Sequence, residues 1–201
     1  MAEHPLRRED LDADPIIQFG SWFALAKDAV RQPEAIALAT ADRNGVPSVR
    51  MVLLKGWDER GFVFFTNYAS RKGSELADNP HAAFTLYWEP LDRQVRVEGT
   101  VARVGEEESD RYFTSRPRPS QLAAHASRQS ETLADRGELE AAARDLEVTY
   151  AGREVPRPGH WGGLLLSPIV IEFWQHRENR LHDRFAYRRV GDRWLVDRLA
   201  P

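Results

Sequence analysis

Residues 94–104 have the sequence QVRVEGTVARV, in which apolar and polar side chains alternate. In an extended chain the odd-numbered positions from Val95 to Val101 would lie on one side, and the charged and polar even-numbered positions on the other. This period of two predicts a β-strand with one buried face, as in an antiparallel sheet. The stretch therefore indicates a mainly β protein.

Shorter segments of the same kind occur on both sides of this strand, at the spacing of β-hairpins. Between two of them lies the turn Asp42-Arg43-Asn44-Gly45, whose Asn-Gly pair favours positive φ. We predict further strands at residues 36–40, 47–55, 62–66, 82–88, 169–174, 184–189 and 194–197.

Helical patterns separate these strands. Asp14-Pro15 is a typical helix start, and the apolar side chains that follow at helical spacing predict a buried stripe. That stripe consists of Ile16, Phe19, Phe23, Ala26 and Val30. Other helices are predicted at 70–79, at 106–113, from 120 and at 137–149, and residues 152–163 are predicted to form a loop. Short strands with a few helices predict one domain over residues 1–201, an antiparallel barrel with helices outside and residues 1–14 as a flexible arm.

The composition narrows the class of protein. The chain has 201 residues, of which 42% are hydrophobic and 29% are charged, so an ordinary folded domain is expected. It has no cysteine, which excludes disulfides, thiolate metal sites and a thiol nucleophile. A net charge of -3 argues against general nucleic-acid binding. No apolar run approaches the roughly 20 residues of a membrane span, and no export signal is visible, so we expect a soluble, cytoplasmic protein.

Familiar phosphate and metal motifs are missing from the sequence. There is no G-x-G-x-x-G and no G-x-x-x-x-G-K-[ST], which excludes the usual dinucleotide and P-loop cradles. The six histidines show no H-E-x-x-H spacing, and His176 with His182 is a poor metal pair. No metal site is expected.

Two basic clusters favour small anionic ligands. The strand from Arg50 to Lys55 carries a cation at each end, about 16 Å apart at ~3.3 Å per residue, which suits two ligand groups better than one phosphate. The segment from Thr66 to Lys72 joins a strand to a helix N-terminus and offers hydroxyls, backbone N–H donors and two cations, a typical anion site. For each cluster alone, a solvated surface is the alternative.

Two later segments are also rich in arginine. The stretch from Arg111 to Gln121 combines guanidinium, phenol and hydroxyl groups that suit a second phosphate, although for this stretch alone a proline-rich helix connection with solvated arginines is the preferred interpretation. In the second segment, from Arg180 to Arg184, alternation would put Arg180, His182 and Arg184 on the same face of one strand. Two arginines beside a histidine favour an anion or an electron-rich ring against them, with a solvated hairpin face as the alternative.

In this order and together, these segments resemble the pyridoxine/pyridoxamine 5′-phosphate oxidase family. The resemblance extends over nearly the whole chain. It is most specific at 50–55, at Thr66-Asn67 with Ser70-Arg71-Lys72, at Ser115-Arg116-Pro117-Arg118 with Ser120-Gln121, at 180–185 and at the ending 197–201. It implies an FMN-binding split β-barrel and a homodimer with FMN at the subunit interface.

The resemblance also assigns roles to individual residues. FMN contacts are implied for Arg50, Met51, Val52, Phe65, Thr66, Ser70, Arg71, Lys72, Gln94, Gln129, Ser130, Trp174 and Arg184, several of them from the partner subunit. Contacts with the substrate phosphate are implied for Lys55, Tyr112, Arg116 and Ser120. Arg180 and His182 are implied to close over the substrate ring as the catalytic residues.

The activity implied by the resemblance is oxidation of pyridoxine 5′-phosphate and pyridoxamine 5′-phosphate to pyridoxal 5′-phosphate, with O2 as acceptor and H2O2 as by-product. The substrates and O2 would be its partners, with no nucleic acid or membrane. Two alternatives remain open. One is a flavin oxidase for another substrate, such as a phenazine-type intermediate, and the other is a non-catalytic protein that binds FMN or pyridoxal phosphate.

Overall fold

The computed structural model describes residues 4–201. Its eight strands are β1 (Ala35–Ala41), β2 (Pro47–Asp58), β3 (Gly61–Asn67), β4 (His81–Trp88), β5 (Arg93–Arg103), β6 (Trp161–Gln175), β7 (Asp183–Val190) and β8 (Arg193–Arg198). Its five helices are α1 (Pro15–Ala29), α2 (Arg71–Asp78), α3 (Glu106–Ser115), α4 (Arg118–Ala126) and α5 (Arg136–Thr149). Within this described part of the chain, no helix has the length and apolar composition that crossing a membrane requires.

The strands form one antiparallel sheet with the order β3-β2-β1-β4-β5-β6-β7-β8, and an additional pairing of β3 with β6 closes it. The first half of β6 pairs with β3, from Trp161 opposite Asn67 to Leu166 opposite Phe62. Its second half pairs with β7 instead, from Val170 to Gln175. The result is a six-stranded barrel with helices outside and a two-stranded extension, which confirms the predicted split barrel.

Strand β6 begins earlier in the chain than the sequence predicted. The loop predicted at 152–163 and the strand predicted at 169–174 are wrong in their bounds, because β6 already begins at Trp161. Gly162 and Gly163 lie inside the strand, where a Cβ atom would come within 2.2 Å of the Tyr68 hydroxyl and 2.5 Å of Val104 Cγ2, respectively. These glycines allow close packing against neighbouring elements rather than marking a loop.

The core lies inside the barrel and beneath α1. Asp14 caps α1 by accepting a hydrogen bond from the Ile16 amide, as the sequence predicts. Of the predicted stripe, Phe19, Phe23 and Ala26 are buried and Ile16 and Val30 are partly buried; Trp22 joins them. The ring of Phe19 packs edge-on against Phe62 and Trp57, each at a centroid distance of 5.0 Å. Edge-to-face aromatic packing of this kind fixes α1 across the barrel.

The N-terminal segment lies against β7. Leu6 and Leu11 are buried, the Leu6 amide donates to Asp183 Oδ2 at 3.0 Å, and the Tyr187 hydroxyl donates to the Asp12 carbonyl at 2.7 Å. The flexibility predicted for residues 1–14 stays a prediction, and its first three residues lie outside the described part of the chain.

Candidate active site

A cavity of about 930 Å³ opens on one side of the barrel. Strand β2, the end of β3, the first turn of α2 and the connection between α3 and α4 form its walls. Many residues that the sequence predicted as ligand contacts line it: Arg50, Met51, Val52, Lys55, Phe65, Thr66, Arg71, Lys72, Tyr112, Arg116, Ser120, Gln129 and Ser130. The fold thus brings together segments that lie up to 80 residues apart in the sequence.

One end of the cavity is the N-terminus of α2. Ser70 caps this helix and, although it does not line the cavity, its hydroxyl lies 3.2 Å from Lys72 Nζ. The Lys72 ammonium also donates to Thr66 Oγ1 at 3.1 Å and to Gln129 Oε1 at 2.8 Å. Burial, together with the positive charge of Arg50, lowers the pKa of Lys72 to about 8. A buried ammonium held by neutral oxygens at a helix N-terminus is a site prepared for an anion.

Beneath this end lies Glu75, a buried carboxylate that the sequence analysis missed. It accepts hydrogen bonds from Ser48 Oγ at 2.6 Å, from Arg71 Nε at 2.8 Å and from Arg50 Nη2 at 3.2 Å, and also from Thr40. Burial alone would raise the pKa of Glu75, but these hydrogen bonds outweigh it and lower the pKa to about 2. The spacing of Arg71 and Glu75, four residues apart on a predicted helix, was the signal that could have identified the pair.

The other end of the cavity is built by α3, the start of α4 and the first residue of β6. The guanidinium carbon of Arg116 lies 4.5 Å from the centroid of the Trp161 ring, and Phe65 stacks on Tyr112 at 3.8 Å. Arg116 Nη1 is buried and has no hydrogen-bond partner within residues 4–201. Burial lowers the pKa of Arg116. A buried cationic donor without an acceptor is costly, so this end of the cavity is also suited to an anion.

Trp161 is a second residue that the sequence analysis missed. It lies in the segment predicted as a loop, next to two glycines, and no local pattern marked it as part of a site. Its ring is nearly parallel to those of Phe65 and Tyr112, with interplanar angles of 15° and 6°. The three rings form an aromatic wall beside Arg116.

Five other predicted contact residues lie elsewhere. Gln94, Trp174, Arg180, His182 and Arg184 do not line the cavity. Trp174 pairs with Gln94 across β5 and with Arg184 across β7, and Arg184 makes a two-point ion pair with Glu172 at 2.7 and 3.1 Å. Because Trp161 begins β6 and Trp174 almost ends it, the two clusters lie near opposite ends of the same strand.

The predicted alternation of Arg180, His182 and Arg184 on one strand is wrong. Residues Glu178–Arg180 form a 3-10 turn, in which Asn179 and Arg180 have positive φ angles of 57° and 61°, and β7 begins only at Asp183. The turn therefore sets the direction of Arg180 independently of the strand. Such non-glycine residues in the left-handed region carry strain and often occur at functional sites.

The side chain of His182 lies in an aromatic group. Its ring centroid is 4.6 Å from that of Trp174 and 5.1 Å from that of His176. His182 Nδ1 accepts a hydrogen bond from the Arg177 amide at 3.1 Å, so the neutral ring carries its proton on Nε2 and can donate it. Over residues 4–201, no three His, Asp or Glu side chains converge in a way that could hold a metal ion.

Comparisons with known proteins agree with this geometry. Residues 24–150 match the family model described as pyridoxamine 5′-phosphate oxidase, and residues 161–201 match the model of the pyridoxine 5′-phosphate oxidase C-terminal dimerisation region.

Individual relatives extend over almost the entire chain. A pyridoxine/pyridoxamine 5′-phosphate oxidase from Rubrobacter xylanophilus is 56% identical over 98% of this chain and 91% of its own. One from Cyanothece sp. is 53% identical over 99% of this chain and 94% of its own. The crystal structure of PhzG from Burkholderia lata, in complex with tetrahydrophenazine-1-carboxylic acid, superposes with a TM-score of 0.93 at 36% identity and covers both chains completely. This chain belongs to the pyridoxine/pyridoxamine 5′-phosphate oxidase family.

Proposed function

We propose that this protein is an FMN-dependent oxidase that converts pyridoxine 5′-phosphate and pyridoxamine 5′-phosphate to pyridoxal 5′-phosphate, with O2 as acceptor and release of H2O2. With pyridoxamine 5′-phosphate the reaction also consumes one water, and the amine nitrogen leaves as ammonia. Three observations support the proposal: two separate cationic ends in one cavity, an aromatic wall beside one of them, and relatives with this name that are more than 50% identical.

The observation that carries the substrate assignment is the unpartnered Nη1 of Arg116. A phosphate oxygen would supply the missing acceptor, and the guanidinium would bind it through charge-assisted hydrogen bonds. Lys55, Tyr112 and Ser120 line the same end and offer an ammonium and two hydroxyls. An uncharged or purely aromatic substrate would leave the buried guanidinium unsatisfied.

The opposite end fits the phosphate of FMN. Arg50, Arg71 and Lys72 meet at the N-terminus of α2, where the helix dipole also favours an anion. Met51, Val52 and Phe65 line the cavity with apolar surface that suits a flat ring system. Gln129 and Ser130 add polar contacts, and Gln129 is already held by Lys72.

The remaining residues support a homodimer. Arg180, His182, Gln94, Trp174 and Arg184 lie away from the cavity of their own chain, so a second copy would have to bring them to it. This agrees with the match of residues 161–201 to a dimerisation region. Val49 and Met51, at 69% and 63% exposure beside the cavity, provide apolar surface that a second copy would cover.

When bound, FMN would supply the redox chemistry, which is the acceptance of a hydride from the substrate and the transfer of two electrons to O2. The protein's own part is to bind and orient. Arg116 and Lys55 hold the substrate phosphate. Arg180, supplied by the partner subunit, holds the pyridine ring of the substrate, and the Nε2–H of His182 donates a hydrogen bond to a polar edge of that ring. Binding at both ends fixes the reacting atoms in a near-attack arrangement, which can lower the barrier by several kcal/mol.

Anaerobic reduction of the purified protein tests the proposal. The FMN-loaded protein should bleach when pyridoxine 5′-phosphate is added, and Arg116→Ala should raise the half-saturating substrate concentration about 10- to 100-fold while changing the limiting rate much less. Pyridoxine without the phosphate should be a poor substrate. Bleaching by both compounds at the same concentrations would contradict the phosphate assignment.

A second candidate is oxidation of a phenazine-type intermediate, which the likeness to the PhzG complex favours. A dihydro- or tetrahydrophenazine acid offered to the same preparation distinguishes the two. Bleaching by the phenazine alone would establish the second candidate. If neither compound bleaches the FMN-loaded protein, a binding protein for FMN or pyridoxal phosphate is the function that remains.

A further inference from the structure

Glu75 has no contact role in the function proposed above, yet it is one of the best-connected side chains of the molecule. It lies on α2, one turn after Arg71, and is only 6% exposed. Its Oε1 accepts from Arg71, and its Oε2 accepts from Arg50, Ser48 and Thr40. Arg50 and Arg71, the two arginines at this end of the cavity, therefore both donate hydrogen bonds to the carboxylate of Glu75.

A second arginine–glutamate pair with the same spacing differs from this one in the burial of its carboxylate. Arg136 and Glu140 have the same spacing on α5, and the same atoms meet at 2.7 Å, compared with 2.8 Å for Arg71 and Glu75. The Glu140 side chain is 50% exposed and its pair lies on a solvated helix face. Exposed pairs of this kind contribute little, whereas a buried carboxylate with several donors fixes its partners in place.

The charges at this end are also nearly balanced against a phosphate. Arg50, Arg71 and Lys72 carry three positive charges, and the carboxylate of Glu75 leaves a net charge of about two positive. A phosphate monoester carries about −1.5 to −2 near neutral pH. Without Glu75, three cations would face one another across a partly buried site. Arg71 would lose its ion pair, and Arg50 would keep its hydrogen bonds to the Leu38 carbonyl, Thr40 and Ser48 but lose the charge that balances it.

We propose that Glu75 is a positioning residue that holds Arg50 and Arg71 in the orientation a cofactor phosphate requires and matches the charge of the site to a phosphate dianion. The proposal rests on the placement of the FMN phosphate at the N-terminus of α2. It makes Glu75 responsible for the preference for FMN over riboflavin, although Glu75 does not line the cavity.

A purely structural role would have different consequences. Glu75 also ties α2 to β1 and β2 through Thr40 and Ser48, so its loss could simply loosen the helix. Loosening would weaken the binding of both flavins to a similar degree. Loss of positioning would weaken FMN alone, because riboflavin has the same ring and ribityl chain but no phosphate.

The test compares FMN and riboflavin binding, followed by flavin fluorescence, in the wild-type protein and in Glu75→Gln. Glutamine keeps the size of the side chain, but its amide NH2 would face donors rather than accept from them. We expect the dissociation constant of FMN to rise about 10-fold or more and that of riboflavin to change less than about 3-fold. Glu140→Gln, which breaks the matched pair on α5, should change neither.

A second readout is the pH dependence of FMN binding. The charged groups around Lys72 are Arg50 from β2, which lowers the pKa of Lys72, and Glu75 from its own helix, which raises it. In Glu75→Gln the pKa of Lys72 should therefore be lower, and FMN affinity should begin to fall at a lower pH than in the wild-type protein. The bend should stay in place in Glu140→Gln, which leaves the charges around Lys72 unchanged. An unmoved bend in Glu75→Gln would contradict the part of Glu75 in the charge of the site.

The outcomes separate this inference from the proposed function. Equal loss of both flavins, or unchanged FMN binding, overturns the role of Glu75. A wild-type protein that binds FMN and riboflavin equally overturns the phosphate placement itself. If Glu75→Gln does not fold, Glu75→Asp retains the charge but withdraws it by one methylene; a selective loss of FMN binding supports positioning, and an equal loss contradicts it.

Discussion

The cavity and the connection between β6 and β7 are built in contrasting ways. In the cavity, Lys72 is held by three hydrogen bonds, and Arg50 and Arg71 are held by the buried carboxylate of Glu75. In the connection, Arg180 is exposed in a strained turn, and its neighbour Leu181 is 69% exposed. One region therefore holds its cationic side chains in place within a single chain, and the other presents Arg180 and Leu181 to the outside.

This contrast separates binding from chemistry in the proposed function. The side chains proposed to hold phosphates belong to the preorganised cavity, and under the proposal their contacts would persist from the bound substrate to the transition state. Arg180 and His182 belong to the connection, and under the proposal they would contribute to the reaction only where a second copy meets the cavity. Substitutions in the two regions should therefore affect different measurements: dissociation constants for the first and limiting rates for the second.

The largest effect is expected from Arg180→Ala. Because Arg180 would orient the substrate ring and touches neither phosphate, the limiting rate of anaerobic flavin reduction should fall about 100-fold or more. FMN should remain bound with unchanged affinity. Stopped-flow absorbance measures the rate, and a fluorescence titration of the same preparation measures the affinity.

Arg144→Ala, an exposed arginine on α5, serves as the control and should change neither quantity. If the flavin is reduced as fast in Arg180→Ala as in the wild-type protein, the connection is not part of the active site. The contrast between the two regions then has no functional meaning. Loss of FMN together with the rate would place Arg180 in cofactor binding instead.

The same two regions show what the sequence could predict. The barrel strands followed from the alternation of residues such as Val95 and Val97, because a period of two is a local property of the chain. The helix start capped by Ser70 was also predictable, because a helix cap and the residues of the first turn are close in sequence. The family resemblance then named the residues that line the cavity.

Other features depend on contacts that no local pattern records. The early start of β6 follows from the fit of Gly162 and Gly163 against Tyr68 and Val104. Likewise, the sequence from Arg180 to Arg184 has the alternating pattern of a strand, but residues Glu178–Arg180 form a turn instead. The spacing along α2 marks the pair of Glu75 with Arg71, but the other partners of Glu75 come from β1 and β2, which no local pattern brings next to α2. Long-range packing therefore decided what the sequence alone left open.

The next largest effect concerns the cavity itself. Lys72→Ala removes a buried cation from the proposed FMN phosphate, so the dissociation constant of FMN should rise about 10- to 100-fold. Riboflavin, which lacks the phosphate, should lose much less. Lys27→Ala, on the exposed side of α1, is the matched control and should leave both values unchanged. Equal losses for both flavins would remove Lys72 from the phosphate site.

A smaller effect tests the hydrogen bond that fixes His182. Since the Arg177 amide occupies Nδ1, the group available for the substrate is the N–H at Nε2. His182→Gln places an amide donor near the Nε2 position, whereas His182→Asn does not reach it. We expect the limiting rate of flavin reduction in His182→Gln to exceed that in His182→Asn by about 10-fold, which corresponds to one hydrogen bond in a closed site. The reverse order would mean that Nδ1 is the functional atom.

The smallest effect is expected from pH. Lys72 is cationic below its pKa of about 8 and neutral above it, and only the cation attracts a phosphate. FMN affinity should therefore be nearly constant between about pH 7 and 8, where the phosphate is already a dianion, and then fall as the pH rises, by no more than about 10-fold per pH unit. The fall should end at the higher pKa that Lys72 has in the complex, because the bound phosphate stabilises its charge.

Lys72→Arg shows whether this decline belongs to Lys72. A guanidinium stays protonated throughout this range, and the FMN phosphate, with a second pKa near 6, is already a dianion there. FMN affinity of Lys72→Arg should therefore be flat across the same pH values, at whatever level the longer side chain permits. Riboflavin binding to the wild-type protein should also be flat. If the variant declines in parallel with the wild-type protein, another group controls the pH dependence, and the preorganised character of the cavity cannot be ascribed to the charge of Lys72.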